Sequence, residues 1–178
     1  MKIYVLGVCG TFMGGLAQLA VQKGFEVAGC DENAYPPMSN VLAEQGIKVD
    51  QGFTVRNIAD DIDLFVIGNV VSRGNPMMEE ILKRRLKFVS GPQFLTESIL
   101  EDRHVIAVSG THGKTSTSSM LAKVLIDAGL DIGYMIAGRA IDLDSTAYLG
   151  TDKYFVIEAD EYDTAFFDKR SKFIHYSP

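Results

Sequence analysis

Tryptophan is absent from this 178-residue sequence, and cysteine occurs only twice, as Cys9 and Cys30. Neither cysteine belongs to a CxxC pair, so disulfide staples and cysteine-bound zinc are not expected and a reducing cytoplasm fits. Basic residues are also in deficit. Lys and Arg total 17 against 23 Asp and Glu, for a net charge of -6 and a pI near 5.0. A general nucleic-acid binder needs a basic face, so no nucleic-acid partner is expected. Long apolar runs are missing too, and Met1 leads at once into Lys2-Ile3-Tyr4-Val5-Leu6 with no charged leader or cleavage site. Neither secretion nor a membrane partner is therefore expected. What remains is ordinary for a globular protein: 47% apolar and 22% charged residues, and enough chain to bury roughly 70% of its unfolded surface.

Short apolar runs alternate with helical stretches. Strands are expected at 3–6, 25–29, 47–50, 64–67 and 88–89. Helices are expected at 16–23, at 39–45 with Ser39 as cap, at 76–85 with Pro76 in the first turn, and at 93–100. A second cycle opens at His104, with strands at 105–108, 132–136 and 154–157. Its helix at 114–128 carries Met120, Leu121, Val124, Leu125 and Ala128 on one face. This alternation argues for parallel sheets with crossover helices. The polar Glu101-Asp102-Arg103 separates two strand-loop-helix starts and divides the chain into units 1–102 and 103–178.

The most specific signal is Gly110-Thr111-His112-Gly113-Lys114-Thr115-Ser116, between an apolar strand and a helix. Backbone N–H groups converge on an anion in such a turn, and the helix dipole adds to the attraction. Lys114 supplies a point charge for the terminal phosphates, and the Thr115 hydroxyl suits Mg²⁺. Val108 stands where the longer G-x-x-x-x-G-K-[ST] pattern has glycine, so the loop is a shorter form. His112 reads as a backbone contact. The acidic stretch Glu158-Ala159-Asp160-Glu161-Tyr162-Asp163 follows a strand. Glu158, the first acid after the apolar run, is placed to complete a Mg²⁺ shell; a solvated acidic turn is the alternative.

Gly7-Val8-Cys9-Gly10-Thr11-Phe12-Met13-Gly14-Gly15 also follows a strand and opens a helix. It fails the G-x-G-x-x-G test, since Cys9 and Phe12 occupy glycine positions. That counts against a nicotinamide-dependent dehydrogenase. Asp31 closes the second strand, where an acid can accept from a ribose; a close helix–strand crossing without ligand is the alternative. Cys9 reads as a small loop residue. Asn69, Ser72, Arg73 and Asn75 follow a strand at the edge where open α/β sheets bind ligands, or form an irregular surface loop. Lys169, Arg170 and Lys172 read as a solvated basic face, with a phosphate contact as the alternative.

Two nucleotide-type turns in tandem, the second reading Gly110-Thr111-His112-Gly113-Lys114-Thr115, resemble the Mur ligase family. Ala34-Tyr35-Pro36-Pro37-Met38-Ser39, Ser72-Arg73-Gly74-Asn75-Pro76, and 158–163 running on to 166–173 are similar to the branch that attaches L-alanyl-γ-D-glutamyl-meso-diaminopimelate to UDP-N-acetylmuramate in peptidoglycan recycling. The alanine-adding branch and a non-catalytic nucleotide-binding module are the alternatives. The resemblance implies a Rossmann-like parallel-sheet domain over 1–102, followed by the start of a P-loop-type α/β ATPase domain over 103–178, in a chain shorter than family members. It implies ATP held by residues 110–116, with Lys114 catalytic and Mg²⁺ on Thr115 and Glu158. The UDP-sugar would be held by Gly10, Thr11, Phe12, Met13, Gly14, Asp31 and Asn69. The implied partners are UDP-N-acetylmuramate and the murein tripeptide, and the implied setting is cytoplasmic.

Overall fold

The computed structural model describes residues 1–137, 143, 145–160 and 163–176. Glu161, Tyr162, Ser177 and Pro178 lie outside them. The first unit runs β1 (Lys2–Leu6), α1 (Thr11–Gln22), β2 (Glu26–Asp31), α2 (Met38–Glu44), β3 (Lys48–Gln51), β4 (Leu64–Ile67), α3 (Pro76–Lys83), β5 (Phe88–Ser90) and α4 (Gly91–Phe94). A π-turn over Leu95–Ile99 extends α4. The strands form one sheet in the order β3-β2-β1-β4-β5, every pair parallel. The second unit runs β6 (His104–Val108), α5 (Lys114–Asp127), β7 (Gly133–Met135), β8 (Ala147–Tyr148) and β9 (Tyr154–Glu158). Its sheet has the order β6-β9-β7-β8, parallel except for β8. A hairpin of β10 (Asp163–Ala165) and β11 (Asp168–Ser171) leads into α6 (Lys172–Tyr176). The expected α/β class with parallel sheets is what the chain forms.

Several expected boundaries move, each for a tertiary reason. Helix α1 begins at Thr11, not Leu16, so Gly14 and Gly15 lie inside it. Glycine weakens a helix by about 1 kcal/mol, but here close packing compensates. A Cβ on Gly14 would stand 2.5 Å from Met38 Sδ, and one on Gly15 3.2 Å from Met135. Ser39 does not cap α2, which starts one residue earlier behind Pro37. Helix α4 starts at Gly91, two residues before the expected Gln93, because the Ser90 side chain accepts from the Gln93 N–H.

The apolar stripe expected on α5 is rotated. Met120 and Val124 are each 63% exposed, whereas Ser118 and Ala122 are fully buried, with Leu121 and Leu125 packed beside them. The inward serines are tolerated because their hydroxyls donate to the Lys114 and Thr115 carbonyls, at 2.7 and 2.6 Å.

The main core does not stop at Arg103. Ile3, Leu16 and Phe94 share one buried cluster with Val105, Met135, Phe155 and Tyr176. Polar ties reinforce this seam. The Gln22 carboxamide accepts from Leu149 N–H at 2.7 Å and donates to the Ala147 carbonyl at 3.3 Å. Within the second unit, the Arg103 guanidinium donates to the carbonyls of Gly150 and Asp152. The hairpin turn reaches back to β5, where Phe167 meets Phe88 edge-on at 5.1 Å.

Candidate functional site

The first glycine turn is built by the chain leaving β1. Gly7 and Val8 N–H groups donate to the Cys30 carbonyl at the end of β2, and Gly14 N–H closes the first turn of α1 on the Gly10 carbonyl at 2.7 Å. The N–H groups of Thr11, Phe12 and Met13 precede that first bond and have no carbonyl partner within the helix. Asp31 braces the turn. Its two carboxylate oxygens accept from Cys9 N–H at 2.9 Å and from Asn33 N–H at 3.1 Å. Burial, helped by the Asp31 charge, pushes the Cys9 thiol above its ordinary pKa, which keeps it protonated rather than nucleophilic.

The second turn leaves β6 and ends at Gly113, whose φ of +77° is left-handed. Residues 109–113 are exposed. Thr117 N–H makes the first helical bond, to Gly113, so the N–H groups of 114–116 face outward from the helix start. Lys114 Nζ folds back to donate to the Gly110 carbonyl at 2.7 Å and lies 3.8 Å from Asp160 Oδ1. Glu158 ends the neighbouring strand β9, in register with Val108. Its Oε1 accepts from Ser118 Oγ at 3.4 Å, which seats the carboxylate against the start of α5.

The carboxyl ends of both sheets open onto one cleft of about 240 Å³. Gly7 follows β1, Asn69 and Val70 follow β4, Ile136 and Ala137 follow β7, and Glu158 and Asp160 follow β9. Gly10, Thr11, Phe12 and Met13 form another wall, and Lys172 closes it. In the first sheet β2 lies on one side of β1 and β4 on the other, the topological switch point at which open α/β sheets bind ligands.

Lys172 was not legible as part of this site. The expected solvated basic face holds for the exposed Arg170 but not for Lys172. Lys172 is only 8% exposed, with Nζ 4.7 Å from the Phe12 ring centre and 3.9 Å from Asp160 Oδ2. Burial pulls its ammonium below the ordinary lysine pKa, and the Asp160 charge partly offsets that. Arg170 is spent on Asp168, to which it donates at 2.9 and 2.8 Å. A lysine that follows two other cations within four positions looks solvated in sequence; only the turn from β11 into α6 points it inward.

Of the expected sugar-nucleotide residues, Gly10, Thr11, Phe12, Met13 and Asn69 line the cleft. Gly14, close against Met38, and Asp31, bonded to the N–H groups of Cys9 and Asn33, are not among the residues lining it. Arg73 pairs with Glu79 at 2.8 Å, and Asn75 caps α3 by accepting from the N–H groups of Met77 and Met78. These two therefore serve the loop reading. None of the expected ATP-binding residues 110–116 lines this cleft; Lys114 is linked to it through its contact with Asp160.

Residues 2–103 match the model of the Mur ligase family, catalytic domain. Over 176 residues the chain is 53% identical to the UDP-N-acetylmuramate–L-alanyl-gamma-D-glutamyl-meso-2,6-diaminoheptandioate ligase of Haemophilus influenzae, covering 99% of this chain and 39% of that protein. It is 52% identical over 178 residues to the ligase of the same name from Escherichia coli, covering 100% of this chain and again 39% of the relative. A solved structure of the corresponding ligase from Neisseria meningitides superposes with a TM-score of 0.96 at 50% identity, covering 99% of this chain and 58% of that one. The chain thus spans about two fifths of the curated relatives it matches.

Proposed function

This chain belongs to the Mur ligase family, and on that premise we propose that it is the UDP-sugar- and ATP-binding part of an ATP-dependent ligase. The ligase would join L-alanyl-γ-D-glutamyl-meso-diaminopimelate to UDP-N-acetylmuramate in peptidoglycan recycling. The carrying observation is that the first glycine turn and the Glu158 strand tip share one cleft, to which the phosphate loop and its helix are tied by the Lys114–Asp160 and Ser118–Glu158 contacts. Identity of 52–53% to relatives named for the tripeptide reaction favours that branch over the alanine-adding one. The division of labour follows the two sheets, with residues 1–102 for the sugar nucleotide and 103–178 for the start of the ATP site. The cytoplasm, where both nucleotides are at hand, is the proposed setting. Among the described residues no helix is long and apolar enough to cross a membrane.

ATP would supply the phosphoryl group that converts a poor electrophile, a carboxylate, into an acyl phosphate, and Mg²⁺ would offset its charge. The residues suit both. Thr115 and Glu158 offer hard oxygen donors, with Glu158 seated against the first turn of α5. So sparse a set fits Mg²⁺, which usually keeps several waters. The N–H groups of residues 114–116, with 110–113 around them, present donors to a triphosphate, and Lys114 exchanges its Gly110 contact for phosphate oxygen. The N–H groups of Thr11, Phe12 and Met13 offer the same geometry to the diphosphate of the sugar nucleotide, beside Asn69. The rest is positioning, which can contribute several kcal/mol to the barrier.

The test is an ATP-dependent ligation assay at full family length, with L-alanine and the tripeptide offered in parallel. Tripeptide product is expected; preference for L-alanine would reassign the branch. Lys114→Ala should abolish turnover, by about 10³-fold or more, and leave UDP-N-acetylmuramate binding intact by calorimetry. Retained turnover would remove Lys114 from its role.

A further inference from the structure

Lys172 stands apart from the loop and metal residues already discussed. It is a buried cation among the residues that line the cleft. A buried ammonium costs several kcal/mol unless closely paired, and Asp160 meets it only at 3.9 Å while also facing Lys114 at 3.8 Å. The Phe12 ring holds the ammonium from the other side at 4.7 Å. The arrangement leaves charge and donors for an anion that enters from the cleft.

We propose that Lys172 recognises the carboxylate of the bound sugar nucleotide and sets the preference for a carboxylate-bearing sugar over its neutral counterpart. The inference rests on the functional reading above and adds a residue to it. Two features select the carboxylate over the diphosphate. The helix start at Thr11–Met13 already offers the N–H groups that diphosphate needs. Lys172 instead comes from α6 over the Phe12 ring, next to Asp160, which also faces the phosphate-loop lysine. A carboxylate held there lies on the side of the cleft nearest the phosphate loop. The walls there also carry Glu158 and Asp160, so an anionic group needs a cation to enter against them.

The experiment compares UDP-N-acetylmuramate with UDP-N-acetylglucosamine, which has the same nucleotide and diphosphate but no lactyl carboxylate. Affinities are measured by calorimetry on the protein at full family length, for the wild type, Lys172→Met, Lys172→Gln and Lys172→Arg, with thermal melts to confirm folding. Loss of one charge-assisted contact predicts that the Met and Gln variants bind UDP-N-acetylmuramate about 10- to 100-fold more weakly. UDP-N-acetylglucosamine affinity should be unchanged, and Lys172→Arg should recover part of the loss. Equal weakening toward both ligands overturns the carboxylate assignment, as does unchanged affinity in both variants. A variant that melts early and loses both ligands together counts against the proposal in the same way. Wild-type protein that binds neither sugar nucleotide overturns the functional reading itself, and the inference with it.

Discussion

Asp168 is the residue whose charge matters most to the hairpin. The Arg170 guanidinium beside it holds its carboxyl well below the ordinary value near 3.8, at about 2, and His175 Nε2 approaches to 2.9 Å. A depressed carboxyl stabilises the fold above its unfolded pKa, and that contribution is lost as pH falls through the folded one. Hairpin stability should therefore decline between about pH 3.8 and about pH 2. Asp168→Asn should flatten that decline while lowering stability at neutral pH, read as melting temperature against pH. At Asp31 the residue type was legible as an acceptor, but its partners were not. They are the N–H groups of Cys9 and Asn33. Asp31→Ala should cost about 1–3 kcal/mol in urea unfolding, because it orphans the partly buried Cys9 donor. No change in midpoint would show that the turn holds without its brace.

At the scale of elements, strands were read best, since buried parallel strands are short continuous apolar runs whatever they pack on. Helix starts were read worst. The glycines at 14 and 15 look like a turn by propensity, yet they are the part of α1 that lets Met38 and Met135 approach. Gly15→Val should overpack that contact at a cost of about 1–3 kcal/mol, measured by chemical denaturation, whereas the same change at the open Gly24 should act only through its positive φ. On α5 the fully buried positions are Ser118 and Ala122, so the apolar pattern, right for Leu121 and Leu125, fails at Met120 and Val124. Asn75 is a further case. Read from sequence as a ligand-edge or loop residue, it caps α3; Asn75→Ala should cost about 1 kcal/mol by the same measurement.

Across the whole molecule, the two sheets share one hydrophobic cluster and are clasped by the hairpin at Phe88 and Phe167. Urea unfolding should then be a single transition, with circular dichroism and tyrosine fluorescence coincident. Phe167→Ala, at a residue 39% exposed, should destabilise by about 1–2 kcal/mol, less than a fully buried aromatic. Two resolved transitions in the unaltered chain would show that the units unfold independently. The same seam makes the cleft. Its walls come from residues more than 150 positions apart, from Gly7 to Lys172.

The amino-acid order alone determined the alternation of strand and helix, the two glycine turns that follow strands, and the lysine–threonine pair that closes the second turn. These are local properties, set by backbone geometry over a few residues. Tertiary structure decided which face of α5 turned inward, that Gly14 meets Met38 and Asp31 holds Cys9 N–H, and that Lys172 left the basic run to enter the cleft. Burial is a property of what arrives from elsewhere in the chain, and no window of neighbouring residues contains it.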